Sequence, residues 1–145
     1  MSTYPSLSTR VIGQTEKTLN AILDRELAGT GLTESQWVIL TLAVTSGGTV
    51  ERDQFTHQVS GALKISGAEA QARVDEMIAA QQLQAPGAGS ALTVTPAARE
   101  LHGRIRTVVA EITERLGGDL PAEDLATAGR VLSIITERAN AQLAR

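Results

Sequence analysis

The sequence predicts a mainly α-helical domain, and three observations carry that reading. Aromatic residues make up 2% of the chain, so the core must be built from Leu, Ile, Val and Ala, which pack well between helices. Apolar residues recur at three- and four-residue steps through most of the 145 positions. Only Leu83 to Thr95 changes period, around the turn cluster Pro86-Gly87-Ala88-Gly89-Ser90. At this length one hydrophobic core, which commonly serves about 100 to 150 residues, is enough for a single domain over 1–145.

The first helix is traced by Leu7, Val11, Thr15, Leu19, Ile22, Leu23 and Leu27, and Gly29 and Gly31 end it. Thr33 followed by Gln36 is a capping-box pattern. It opens the run from Trp37 to Val44, which reads as an almost wholly buried helix stopped by Gly47 and Gly48. From Val50 to about Leu63, Phe55, Val59, Ala62 and Leu63 fall at helical spacing. Ser66, with Glu69 three residues on, then caps a helix expected from Gly67 to Gln82, with Ala70, Val74, Met77 and Ile78 inward. A buried helix followed by two helices joined through a tight polar turn is the arrangement on which helix-turn-helix domains are built.

The period-two residues Leu92 and Val94 make the next stretch a short hairpin. Thr95-Pro96 starts a helix through Leu101, Ile105, Val108, Val109, Ile112 and Leu116, closed by Gly117 and Gly118. Pro121-Ala122-Glu123-Asp124 starts the last, with Leu125, Ala128, Val131, Leu132, Ile135, Ala139 and Leu143 on one side. The terminal stripes either pack on a second copy in a symmetric dimer or lie inside a monomeric bundle, and spacing is compatible with both.

Composition narrows the function classes. Thirteen Lys and Arg against sixteen Asp and Glu give a net charge of −3, so no bulk positive field draws in nucleic acid or anionic lipid. The absence of cysteine removes disulfides, thiolate metal sites and thiol nucleophiles. No run approaches the roughly 18 apolar residues of a membrane span, and the N-terminus lacks a basic segment leading into an apolar one, so a cytoplasmic protein with no membrane partner is expected. His57 and His102 are far apart, and no His-Glu-x-x-His, phosphate loop or nucleophile elbow occurs. Asp75-Glu76 and Glu123-Asp124 are adjacent on helices, so their side chains diverge. The expectation is a protein that is not an enzyme, with no catalytic residue, metal or cofactor.

Three stretches together resemble the MarR family of winged helix-turn-helix transcriptional regulators. Leu32-Thr33-Glu34-Ser35-Gln36-Trp37-Val38-Ile39-Leu40 is similar to the family's second-helix opening. Val74-Asp75-Glu76-Met77-Ile78 with Leu83 is similar to the back half of its recognition helix, and Val94-Thr95-Pro96-Ala97-Ala98-Arg99 to the exit from the wing, with Ala98 in place of the usual glycine. The resemblance implies a winged helix-turn-helix module over 32–95 and dimerisation helices over 5–28 and 96–145. It further implies a homodimer that binds double-stranded DNA and regulates transcription, as a repressor released by a small ligand. The competing reading is a winged-helix dimer with reduced or lost DNA binding that serves as a ligand-binding or protein-interaction module.

The candidate DNA-contacting residues are Arg52, His57, Lys64, Ser66, Glu69, Gln71 and Arg73, with Ala72 beside them on the helix. Arginine suits guanine or phosphate, glutamine suits adenine, and a capped helix start offers N–H groups to phosphate. Each has a plainer reading: Arg73 as partner of Glu69 or Glu76, Gln71 as a solvated side chain, Ser66 as a cap alone, His57 as helix edge. The wing departs most from the family, whose tip carries an arginine. Pro86, Gly87 and Ala88 stand there instead, and no charged side chain occurs from Leu83 to Ala98. Weak binding with a shallow salt dependence is therefore expected. For a small aromatic or apolar effector the candidate pocket residues are Tyr4, Trp37, His57 and His102, with Trp37 also readable as core.

Overall fold

The computed structural model describes residues 3–87 and 89–145. The chain divides into two compact units, 1–109 and 110–145. In the first, α1 (Thr9–Leu27) is capped by the Ser8 hydroxyl, which accepts from the Val11 N–H at 3.2 Å. Only Leu27 of α1 is buried, with Leu23 packed partly against the core, while Leu19 remains exposed. The predicted capping box forms at α2 (Glu34–Thr45): Thr33 Oγ1 accepts from the Gln36 N–H, and Gln36 Oε1 accepts from the Thr33 N–H at 3.0 Å. Ile39, Leu40 and Ala43 of α2 are buried; Trp37, Leu42 and Val44 are half-buried, a more graded burial than the apolar run suggests.

Helix α2 ends where Gly47 and Gly48 adopt positive φ, with the Gly48 N–H returning to the Ala43 carbonyl at 3.0 Å. The chain then forms β1 (Thr49–Glu51), a strand in place of the helical start expected at Val50. Its pairing partner lies about forty residues away, in β3 (Ala91–Val94), so the local pattern carried no sign of it. Helix α3 (Arg52–Leu63) begins behind Glu51, whose Oε2 accepts from the Gln54 N–H at 2.8 Å. That backbone hydrogen bond, seconded by one from Asp53, holds the Glu51 carboxyl below its ordinary pKa.

The turn of the helix-turn-helix is Lys64-Ile65-Ser66, with Lys64 in the left-handed region at φ 57. The Ser60 hydroxyl donates to the Ile65 carbonyl at 2.6 Å, and the Ile65 N–H returns to the Ser60 carbonyl, fixing the bend. Helix α4 (Gly67–Ala79) stops three residues short of the predicted Gln82. Gln81 turns to φ 61, and the Gln82 N–H bonds back to the Met77 carbonyl, ending the helix. Strand β2 (Leu83–Gln84) and β3 complete the wing, an antiparallel sheet of order β1-β3-β2.

Phe55 and Val59 of α3, Ala70, Val74 and Met77 of α4, and Leu83, Leu92 and Val94 of the sheet form one core with α2. Ala98 and Ile105 of α5 (Pro96–Gly117) join it. The start of α5 is held by Thr95, whose hydroxyl accepts from the Ala98 N–H and donates to the Gln81 carbonyl. In the second unit, α6 (Ala122–Leu143) carries Glu123 and Asp124 in its first turn, where they complement the helix dipole, and has no buried residue.

Candidate nucleic-acid interface

Helix α4 turns Ala70, Val74 and Met77 to the core, which leaves Ala68, Glu69, Ala72, Asp75 and Glu76 exposed and Gln71 and Arg73 half-exposed. Ser66 caps the helix as read from sequence: its Oγ accepts from the Glu69 N–H at 3.1 Å and donates to Glu69 Oε1 at 3.2 Å. Ser66, Glu69 and Ala72 are thus exposed at and beyond the capped helix start, with Gln71 and Arg73 on opposite flanks of the helix. Lys64, in the turn, and His57, on α3, are also exposed.

Most of these side chains are already engaged with one another. Arg73 Nη1 meets Glu76 Oε1 at 3.1 Å, the intrahelical pair weighed in the sequence. Arg52 Nη1 meets Asp75 Oδ1 at 3.2 Å, and the same oxygen accepts from Gln71 Nε2 at 3.0 Å. Nothing local in the sequence around Asp75 reveals a partner 23 residues earlier. The wing tip between Gln84 and Ala91 is exposed at each described position; Ala88, one of the three residues in the tip position, lies outside the described residues.

Two of the candidate effector residues form a pair. Trp37 and His102 stack with ring centroids 4.7 Å apart at 20°, and His102 Nε2 lies 3.2 Å from Thr41 Oγ1. His102 is 4% exposed. Burial holds its pKa below the ordinary imidazole value, and the charges of Arg106 and Arg99 push the same way. Tyr4 is 84% exposed and His57 sits on the exposed side of α3. Thr41 was not singled out in the sequence, because a threonine in an apolar helix carries no mark of its partner. Among the described residues no group of three His, Asp or Glu could hold a metal ion, and no helix is long and apolar enough to cross a membrane.

No family model and no curated protein matches the chain. Solved structures do match. AbsC, a MarR family transcriptional regulator from Streptomyces coelicolor, superposes with a TM-score of 0.74 at 18% identity, covering 95% of this chain and 99% of that one. The chain has the fold of a MarR regulator. Ligand-free NadR gives a TM-score of 0.75 at 17% identity, covering 93% of this chain and 98% of its own. A MarR mutant from E. coli complexed with operator DNA gives 0.69 at 14% identity, covering 87% and 91%. The MarR fold therefore spans nearly the whole sequence, with the helix-turn-helix and wing in the order that the sequence predicts.

Proposed function

We propose that the chain is a MarR-family regulator: a homodimeric, cytoplasmic, sequence-reading DNA-binding protein that represses transcription and is released by a small aromatic or apolar effector. The observation that carries this reading is the α4 face. A capped helix is packed on its inner side by Ala70, Val74 and Met77 and presents Glu69, Gln71, Ala72 and Arg73 outward, the requirement for entering a major groove. The operator complex of a protein of the same fold supports it. Ser66 and the first α4 N–H groups, with Lys64, His57 and Arg52 beside them, are assigned to phosphate; Gln71 and Arg73 to base edges. The stacked Trp37 and His102 pair, with its neighbouring Thr41 hydroxyl, is the element to which we assign the effector response.

The competing module with reduced DNA binding draws on one specific observation. Arg52 and Arg73 are both paired with carboxylates of α4, and the wing sequence carries no charge. Fluorescence anisotropy separates the two readings, with duplex from upstream of the chain's own gene and a shuffled duplex titrated at two salt concentrations. A sequence reader saturates on the first at concentrations that leave the shuffled duplex free. The slope of log affinity against log salt is expected to be shallow, because few cations are available to displace counterions. Lys64→Ala with Arg73→Ala should weaken specific binding by about tenfold or more, since each such contact contributes about 1 to 3 kcal/mol. Unchanged specific binding in that double variant would remove α4 as the reading surface.

A further inference from the structure

We propose that Asp75 is a positioning residue that sets which DNA sequences the module accepts, acting through Arg52 and Gln71. The inference rests on the DNA-reading function above and names what tunes it. Arg52, the first residue of α3, is the junction of three elements. Its N–H donates to the Ser90 carbonyl, in the wing loop just before β3, at 2.8 Å, its carbonyl accepts from Thr56 Oγ1 at 2.8 Å, and its guanidinium reaches Asp75 on α4. Asp75 Oδ1 accepts from Gln71 Nε2 as well, one helical turn away. Through Arg52, a single carboxylate oxygen therefore links the wing loop, the first helix of the motif and the reading helix.

The pair lies at the surface, with the Arg52 side chain 30% and the Asp75 side chain 58% exposed, so it adds little to stability. Its consequence is orientation. A glutamine amide that turns freely presents its donor and acceptor in either order, and either order can be matched by some base edge. With Nε2 bound to Asp75, Gln71 keeps one amide hydrogen and its carbonyl oxygen in a fixed order. That carbonyl is 3.5 Å from Thr56 Oγ1, whose one hydrogen already serves the shorter bond to Arg52, so the oxygen stays available to a donor on a base. Asp75 also offsets the Arg52 charge and aims it, which suppresses attraction to any phosphate regardless of sequence.

Asp75→Leu removes both the charge and the acceptor oxygens and keeps a side chain of similar size and branching. The test first selects preferred duplexes for the full-length wild-type protein from a random-sequence pool, then titrates selected and shuffled duplexes with both proteins across a salt series. The variant is expected to bind the shuffled duplex more tightly, to lose about tenfold in the ratio of selected to shuffled affinity, and to steepen its salt slope by about one as Arg52 turns to phosphate. In an Arg52→Gln background the change of slope should vanish while part of the lost discrimination remains through Gln71. An unchanged ratio and slope in a variant that melts like wild type overturns the proposal. So does an equal loss on both duplexes with a lowered melting temperature, which marks Asp75 as merely structural. If wild-type protein selects no sequence, the DNA-reading function itself fails and takes this inference with it; the other two outcomes leave that function standing.

Discussion

His102 shows how one residue converts burial into a pH response. Its ring is stacked on Trp37 and reaches Thr41, and both burial and the nearby Arg99 and Arg106 disfavour the imidazolium. The folded pKa thus lies below the ordinary value of 6.5, and the unfolded chain binds the proton first as pH falls. Above that value the ring is neutral in both states and costs nothing; below it, stability declines until the folded-state pKa is passed. Melting curves from pH 7.5 down to pH 5 should show this decline, and His102→Gln should flatten that part of the profile. The sequence offered His102 as one of four candidates for an effector pocket, with Tyr4, Trp37 and His57. Helical periodicity puts a residue on a face, but stacking on Trp37 depends on two helices 65 positions apart in the chain meeting, and no local pattern carries that.

Elements whose ends are fixed by neighbours in sequence were legible, and those fixed by distant partners were not. Thr33 and Gln36 cap each other across three residues, and the structure forms that reciprocal box as read. Thr33→Ala should therefore lower stability by about 1 kcal/mol, measured by urea denaturation, with little change in the slope of the transition. The hairpin of β2 and β3 and the capped start of α4 were likewise local matters. Strand β1 escaped because three residues are too few to show period two, and only Leu92 and its neighbours on β3 make it a strand. The end of α4 was misplaced for a related reason: Gln81 takes a left-handed conformation usually left to glycine, secured by the Thr95 hydroxyl on its carbonyl from fourteen residues on. The candidate interface divides the same way. The capped start and exposed side of α4 were readable, while the partnership of Arg52 with Asp75 was not.

At the scale of the whole molecule, the unresolved choice left by the sequence was whether the terminal stripes face inward or meet a second copy. Helix α6 spans 22 residues and buries none of them, although Leu125, Leu132, Ile135 and Leu143 follow one another on a single stripe. Leucines left exposed at such spacing are the expected signature of an assembly surface, supporting the homodimer in the proposed function. Leu132→Glu with Ile135→Glu should weaken self-association by about a hundredfold or more, since each buried aliphatic side chain contributes about 1.5 to 3 kcal/mol. Sedimentation velocity across a dilution series reads this directly, and a variant that sediments as wild type would place the dimer surface elsewhere. The wing has its own bearing on association, of an unwanted kind. Its longest strand, β3, lies in the middle of the order β1-β3-β2, and its outer strands are three and two residues long. Open strand edges invite pairing with other chains, and edges this short offer almost no template. Copies brought close together would have little backbone through which to stick to one another by mistake.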